Sequence, residues 1–221
     1  MDLEDLARLR RDYESSGIDV ATLPPTPLPM WQQWLRDAEA AGIAEINAVI
    51  VSTVDADGTP SSRTVLCKGA DAGGFTFFTN YDSRKGRAIA AEPRVSLLFP
   101  WHPLARQVIV AGRASKVDRA ASEAYFASRP RGAQLSAWAS AQSSVVTDRA
   151  ALERSWAEVE ARFAGGDVPC PPRWGGFRVS SDSVEFWQGR QDRLHDRLVY
   201  RRTPSAGPDG EHGWTIERLA P

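Results

Sequence analysis

Between residues 47 and 117 the chain is cut into short apolar runs by turn residues, and the gaps leave no room for helical crossovers. "NAVIVSTVD" is followed by "ADGTP", then "SSRTVLCKG", then "DAGG", then "FTFFTN". Runs of this length, rich in Val, Phe and Thr and bounded by Gly, Asp and Pro, read as strands. Turns this short join strands antiparallel, because a parallel pair needs a far longer crossover. After "SRKGRAIAAEP", a short helix capped by Ser83 and stopped by Pro93, "RVSLLFPW" and "RQVIVAGRASKV" extend the series to five. The pattern predicts an antiparallel barrel rather than alternating βαβ units.

The flanks are mixed. Leu3, Leu6, Leu9 and Tyr13 recur at helical spacing, "LPPTPLP" (23–29) breaks that helix as a stiff connector, and "MWQQWLRDAEAAG" predicts a second helix ending at a glycine. Residues 118–164 read as a helical insertion. Its last helix, over 147–164, is amphipathic through Leu152, Trp156, Val159 and Phe163. Strands return at "FRVSS", "SVEFWQG", "RLHDRLVYRR" and "WTIERLA", with the polar loop "TPSAGPDGEHG" before the last. The expected organisation is an N-terminal helical segment over 1–45 and a barrel domain over 46–221 that includes the insertion.

With 221 residues the chain can bury a core without a disulfide or metal staple. A formal net charge of -1 gives no global field for nucleic acid or an anionic membrane, so anion binding must come from local clusters. Cys67 and Cys170 lie far apart, and His102, His195 and His212 show no ligand spacing, so no metal site is expected. No apolar run has the length of a membrane span and the charged N-terminus has no apolar signal core, so the expectation is a cytoplasmic protein. Eight tryptophans stand out, though most Trp side chains fill cores.

Four stretches could carry chemistry. In "SRKG", Arg84 and Lys85 follow the N-cap Ser83 where a helix already bears partial positive charge; they either hold an anion such as phosphate or point into solvent. Arg63 and Lys68 end the strand "RTVLCK", on opposite faces if it is regular. Tyr125 and Arg129 sit at i, i+4 on one helix, either as an oxyanion clamp or as surface packing. Gln142 and Ser143 suit a heteroaromatic edge or a phosphate. In "EFWQGRQDRLHDRLVY" (185–200), a strand would put Arg193, His195 and Arg197 on one face, with Leu194 and Leu198 on the other. The alternative there is a helix with a solvated charged side; the β-rich context favours the strand.

Together "SSRTVLCK", "FFTNYDSRKG", "PRVSLLFPWHPLARQV", "YFASRPRGAQLSAWAS", "QSS", "WGGFRVSSDSVEFWQGRQDRLHDRL" and "IERLAP" resemble the pyridoxine (pyridoxamine) 5′-phosphate oxidases. These are flavoenzymes of the FMN-binding split-barrel fold, so the resemblance implies a mainly β (α+β) antiparallel split barrel with surrounding helices. It also implies a homodimer with two FMN at the subunit interface. Carried over by motif position, the FMN contacts are Arg63, Thr64, Val65, Leu66, Cys67, Lys68, Phe78, Thr79, Arg84, Lys85, Gln107, Gln142, Ser143, Trp187 and Arg197. Arg84 and Lys85 would take the FMN phosphate. Lys68, Tyr125, Arg129 and position 133 would hold the substrate phosphate. Arg193, Leu194 and His195 would lie at the substrate ring, with Arg193 and His195 catalytic, and Arg10 and Tyr13 would close over it.

Two positions depart from the family's usual pattern: Ala133 where Ser is common, which removes one hydroxyl, and Phe78 where Tyr is frequent. The implied activity is oxidation of pyridoxine or pyridoxamine 5′-phosphate by dioxygen, giving pyridoxal 5′-phosphate and hydrogen peroxide, with ammonia released from the amine. The alternatives are a phenazine-type oxidase on the same barrel, and a non-catalytic flavin- or pyridoxal-phosphate-binding protein.

Overall fold

The computed structural model describes residue 13, residues 17–203 and residues 213–221. The expected helix over 3–16, apart from Tyr13, and most of the loop "TPSAGPDGEHG" lie outside the described residues, as does Arg10. The chain forms two compact units: Met1–Ile46 with Leu98–Val110 and Ser183–Pro221, and Asn47–Leu97 with Ala111–Asp182.

The second unit is built on the short-turn strands. β1 (Ala48–Val54) and β2 (Pro60–Asp71) form a hairpin in register from Ala48↔Leu66 to Val54↔Pro60. β2 pairs with β3 (Gly74–Asn80), and the register slips between Cys67 and Gly69, so Lys68 is the extra residue of a bulge. β4 (Arg94–Trp101), β5 (Arg106–Lys116) and β6 (Trp174–Gln188), each belonging in part to the first unit, follow in the order β3-β2-β1-β4-β5-β6, and antiparallel pairing of β3 with β6 closes the barrel. Closure removes the exposed edges that an open sheet of such apolar strands would present. Val49, Val51, Phe75, Phe77, Leu97, Phe177 and Val179 fill its interior. β6 is one continuous strand of 15 residues where two were expected; "SSDS" carries no Gly or Pro to break the ladder.

α2 (Arg84–Ala91) is capped by Ser83, whose Oγ accepts the Gly86 N–H. α3 (Arg119–Ala127), α4 (Arg131–Ala139) and α5 (Arg149–Arg162) make up the insertion. Phe126, Leu135, Val168 and Trp174 form its core, and Trp156, Val159 and Phe163 of the amphipathic stretch pack against them.

In the first unit α1 (Pro27–Ala40) starts three residues earlier than expected. Thr26 is its N-cap, and Pro27 takes the first helical position, where proline's missing N–H costs nothing. Trp31 meets Phe99 at 5.4 Å and Trp34 meets Phe186 at 5.2 Å between ring centroids. Arg106 stacks over Trp34 at 4.6 Å and pairs with Asp37 at 2.6 Å. β7 (Asp196–Arg202) pairs with the Ser183–Gln188 part of β6, and β8 (Trp214–Leu219) pairs with β7. No helix among the described residues is long and apolar enough to cross a membrane.

Candidate active site

In the second unit a cavity of about 790 Å³ opens between β2, β3, the start of α2, and the α3–α4 region with the segment after it. That volume suits a cofactor-sized ligand. Arg63, Thr64, Val65, Leu66, Lys68, Phe78, Thr79, Arg84, Lys85, Gln142, Ser143, Tyr125 and Arg129 all line it. Five of these are cationic, and among the described residues no Asp or Glu lines it.

Four of the cations are held in different ways. Arg63 donates to Val51 O at 3.1 Å, Thr53 Oγ1 at 2.8 Å and Ser61 Oγ at 2.5 Å. Burial and the neighbouring Arg84 pull its pKa down, against Asp55. Lys85 is buried and donates to Thr79 Oγ1 at 3.0 Å and Gln142 Oε1 at 3.4 Å, neither of them charged. Burial, with Arg63 adding to it, brings its pKa down to about 8. Arg84 pairs with Asp55 at 2.6 Å, and that hydrogen-bonded carboxylate raises its pKa. Both Arg84 and Lys85 sit in the first turn of α2, where cations oppose the helix dipole unless an anion joins them. A Cβ on Gly86 would lie 2.0 Å from Tyr81 O, so only glycine lets this turn approach so closely.

Arg129 forms the opposite wall. Its guanidinium lies 4.7 Å from the Trp174 ring centre and 5.4 Å from that of Phe126. Its Nη1 is buried with no hydrogen-bond partner among the described residues, and burial lowers its pKa, against Tyr125 and Cys170. A buried guanidinium N–H without an acceptor costs free energy that an anionic ligand would offset. Tyr125 stacks on Phe78 at 4.0 Å, and both rings run nearly parallel to Trp174. Phe78 thus uses its ring face, and this packing calls for no hydroxyl there.

The first unit carries a second cluster. Trp187 and His195 are 4.7 Å apart, and Tyr13 meets them edge-on at 6.0 Å and 5.9 Å. The Arg190 N–H donates to His195 Nδ1 at 3.0 Å. Arg197 forms a two-pronged pair with Glu185 at 2.7 and 3.2 Å. Gln107 lies on β5 in this unit.

Several expectations are corrected. Arg193, His195 and Arg197 do not share a strand face: Gln191–Arg193 is a 3-10 turn, and β7 begins only at Asp196. Asp192 and Arg193 have φ of 54° and 60°, the left-handed region, which reverses the chain between β6 and β7. Asp tolerates that region; Arg193 is strained there, as residues held at functional turns often are. Leu194 is 69% exposed while Leu198 is fully buried, so these two do not share an environment either. Arg63 and Lys68 line one cavity rather than serving opposite faces, because the bulge at Lys68 breaks the alternation. Arg129 lies beyond the end of α3. Cys67 does not line the cavity; its thiol is buried and donates to Gly69 O at 3.3 Å. Ala133 does not line it either.

Ser61, Ser62, Asn80, Ser136, Ala137, Ser140 and Trp174 line the cavity and were not expected. Ser61 and Ser62 adjoin Arg63, a signal that was available. Trp174 comes in through the Asn80↔Trp174 pairing of β3 with β6, which no local pattern announces.

Residues 35–163 match the family model described as pyridoxamine 5′-phosphate oxidase, and residues 174–221 match the pyridoxine 5′-phosphate oxidase C-terminal dimerisation region. A pyridoxine/pyridoxamine 5′-phosphate oxidase of Nocardioides sp. is 54% identical over 217 residues, covering 98% of either chain. One from Streptomyces avermitilis is 51% identical over 224 residues, covering 99% of this chain and 97% of its own. Among solved structures, PhzG from Burkholderia lata, in complex with tetrahydrophenazine-1-carboxylic acid, superposes with a TM-score of 0.85 at 30% identity, covering 96% of this chain and 100% of that one. A pyridoxamine 5′-phosphate oxidase-related FMN-binding protein from Nostoc punctiforme shares the fold, with a TM-score of 0.68 at 17% identity.

Proposed function

Because the chain belongs to the pyridoxine/pyridoxamine 5′-phosphate oxidase family, we propose that it binds FMN and oxidises pyridoxine and pyridoxamine 5′-phosphates to pyridoxal 5′-phosphate. The observation that carries this reading is the cavity lined, among the described residues, by five cations and no carboxylate, with one buried guanidinium nitrogen that has no hydrogen-bond partner among them. Such a site calls for more than one anionic group, and a phosphorylated cofactor beside a phosphorylated substrate provides two.

Arg63, Arg84 and Lys85 would hold the FMN phosphate at the start of α2, where charge-assisted hydrogen bonds and the helix dipole act together. Gln142, Ser143 and Thr79 would satisfy polar edges of the cofactor. Lys68, Tyr125 and Arg129 would hold the substrate phosphate, with Trp174 fixing the plane of Arg129. When bound, FMN supplies the two-electron acceptor chemistry, taking hydride from C4′ of the substrate with dioxygen as final acceptor. The protein's task is orientation and charge: anchoring the phosphate fixes C4′ in space, a proximity effect. In a homodimer, Gln107, Trp187, Arg193, His195 and Arg197 complete the site, with Arg193 and His195 against the substrate ring.

Anaerobic titration of the FMN-loaded protein with each phosphorylated vitamer tests this. Bleaching of the flavin band by either supports the oxidase; no bleaching by both overturns it. The likeness to PhzG favours one second reading, a phenazine-type oxidase. A tricyclic carboxylate that bleaches the flavin where neither vitamer does would establish that reading.

A further inference from the structure

Asp196 has no part in the chemistry above, yet the residue is 3% exposed and its carboxylate gathers three chain segments. Oδ2 accepts the Ile18 N–H at 2.9 Å and lies 3.5 Å from Arg190 Nη1, and Oδ1 pairs with Arg218 of β8. Arg218 also donates through Nη2 to Ile18 O at 3.4 Å. Both backbone groups of Ile18 are therefore captured, one by each member of an ion pair.

The neighbouring residue fits the same anchor. Gly17 has φ +80°, and a Cβ there would lie 2.6 Å from Asp196 Oδ2 and 2.7 Å from Arg190 Nη1. Glycine is thus required both for its backbone angle and for the space. Burial works against the Asp196 carboxylate, but the Ile18 N–H, Arg218 and Arg190 outweigh it and hold its pKa low. The group stays ionised through the neutral range.

Two functional elements hang from this point. Tyr13 is five residues from Ile18, so the chain between them spans at most about 18 Å, and fixing Ile18 limits where the Tyr13 ring can lie. That ring packs against His195 and Trp187. Gly189 leaves room for it, since a Cβ there would sit 2.7 Å from the ring. On the other side Arg190, in contact with Asp196 through its side chain, holds His195 Nδ1 with its backbone N–H.

We infer that Asp196 is a positioning residue: through Ile18 it places Tyr13 against His195 and Trp187, and through Arg190 it sets the turn that carries Arg193 and His195. The role rests on the proposed function, in which those residues meet the substrate. Asp196 touches no reacting atom.

Asp196→Asn keeps the shape and one acceptor but removes the charge that Arg218 and Arg190 face. Gly17→Ala disturbs the same anchor from the other side without changing charge, and serves if the first variant fails to fold. In the FMN-loaded full chain, each should raise KM for pyridoxine 5′-phosphate about tenfold, the scale of one lost charge-assisted hydrogen bond, with kcat and FMN affinity changed less than about twofold. Added to Tyr13→Ala, Asp196→Asn should raise KM by less than it does alone, since the route through Tyr13 is already lost and only the one through Arg190 remains. Asp196→Glu should recover part of the loss.

Deuterium exchange of the peptide containing Ile18 should speed up about tenfold in Asp196→Asn. That readout needs no turnover, so it tests the anchor even if neither vitamer is a substrate. Unchanged exchange, or a KM effect fully additive with Tyr13→Ala, would overturn the inference.

Discussion

The backbone N–H of Arg190 donates to Nδ1 of His195 at 3.0 Å, so this nitrogen is an acceptor and the neutral imidazole carries its hydrogen on Nε2. In the proposed function His195 would then meet the substrate through Nε2–H, as a hydrogen-bond donor. Nitrogen-15 NMR of the labelled protein should show, for the neutral imidazole, Nδ1 without hydrogen and Nε2 with it. His195→Gln, whose amide NH2 sits near the lost Nε2–H, should retain about tenfold more kcat/KM than His195→Ala, since the difference is one substrate hydrogen bond. Equal losses in the two variants would point to proton abstraction instead.

With Lys85 on the FMN phosphate as proposed, cofactor binding depends on pH. Its pKa of about 8, set by burial and then by Arg63, means that the cavity loses a positive charge as pH rises through 8. A phosphate monoester, with its second pKa at about 6, stays dianionic over that range. FMN affinity of the apoprotein should fall between pH 7 and 9, and binding near pH 8 should take up protons. Lys85→Met should bind weakly with a flat profile; quenching of flavin fluorescence measures both. Apoprotein stability runs the other way. Between 8 and 10.5 the unfolded chain binds more protons at this lysine, so the apoprotein gains stability as pH rises through that window.

The hairpin of β1 and β2 and the capped start of α2 were legible because their signals are local: Asp-Gly in the first, Ser83 before Arg84 in the second. The clustering of Arg63, Lys85, Tyr125 and Arg129 came from resemblance, since their separate spacings left solvent-facing readings open. What escaped was non-local or irregular. The slip at Lys68 has no mark beyond an ordinary Cys-Lys-Gly, and it undoes alternation in the one strand where alternation mattered. The turn before β7 uses Asp192 and Arg193 at positive φ instead of an Asn-Gly pair, so the period-2 reading ran straight through it. Asp196 is one charge among several in "RQDRLHDR", with no local mark of its own, and only its meeting with Ile18 and Arg218 reveals it as an anchor.

Gly86 joins fold and site. It sits one residue after Lys85, its N–H bonds to the Ser83 cap, and a Cβ would strike the Tyr81 carbonyl at 2.0 Å. Relief requires moving the first turn of α2, and Arg84 and Lys85 with it. Gly86→Ala should therefore lower Tm by several degrees, a loss of about 1–3 kcal/mol typical of overpacking. It should also weaken FMN binding more than tenfold, a cost of about 1.4 kcal/mol or more. A variant that loses stability yet binds FMN normally would separate the turn from the cofactor site.

Arg129 should discriminate substrate from cofactor. Its Nη1 is buried without a partner among the described residues, and its guanidinium lies over Trp174, 4.7 Å from the ring centre. Arg129→Met keeps much of the stacking volume and removes the unpaired donor, so the apoprotein should be no less stable than the wild type, because the desolvated group is gone. FMN affinity should hold within about threefold, as the proposed cofactor contacts lie with Arg63, Arg84 and Lys85. KM for both phosphorylated vitamers should rise about 10- to 100-fold, the range for a lost charge-assisted hydrogen bond to phosphate. Arg129→Lys should not rescue it fully, since an ammonium cannot both stack on Trp174 and present two donors in a plane. Steady-state kinetics, flavin-fluorescence quenching and thermal melts of the apoprotein read KM, FMN affinity and stability in turn; a variant with lost stability and unchanged KM would make Arg129 a structural residue.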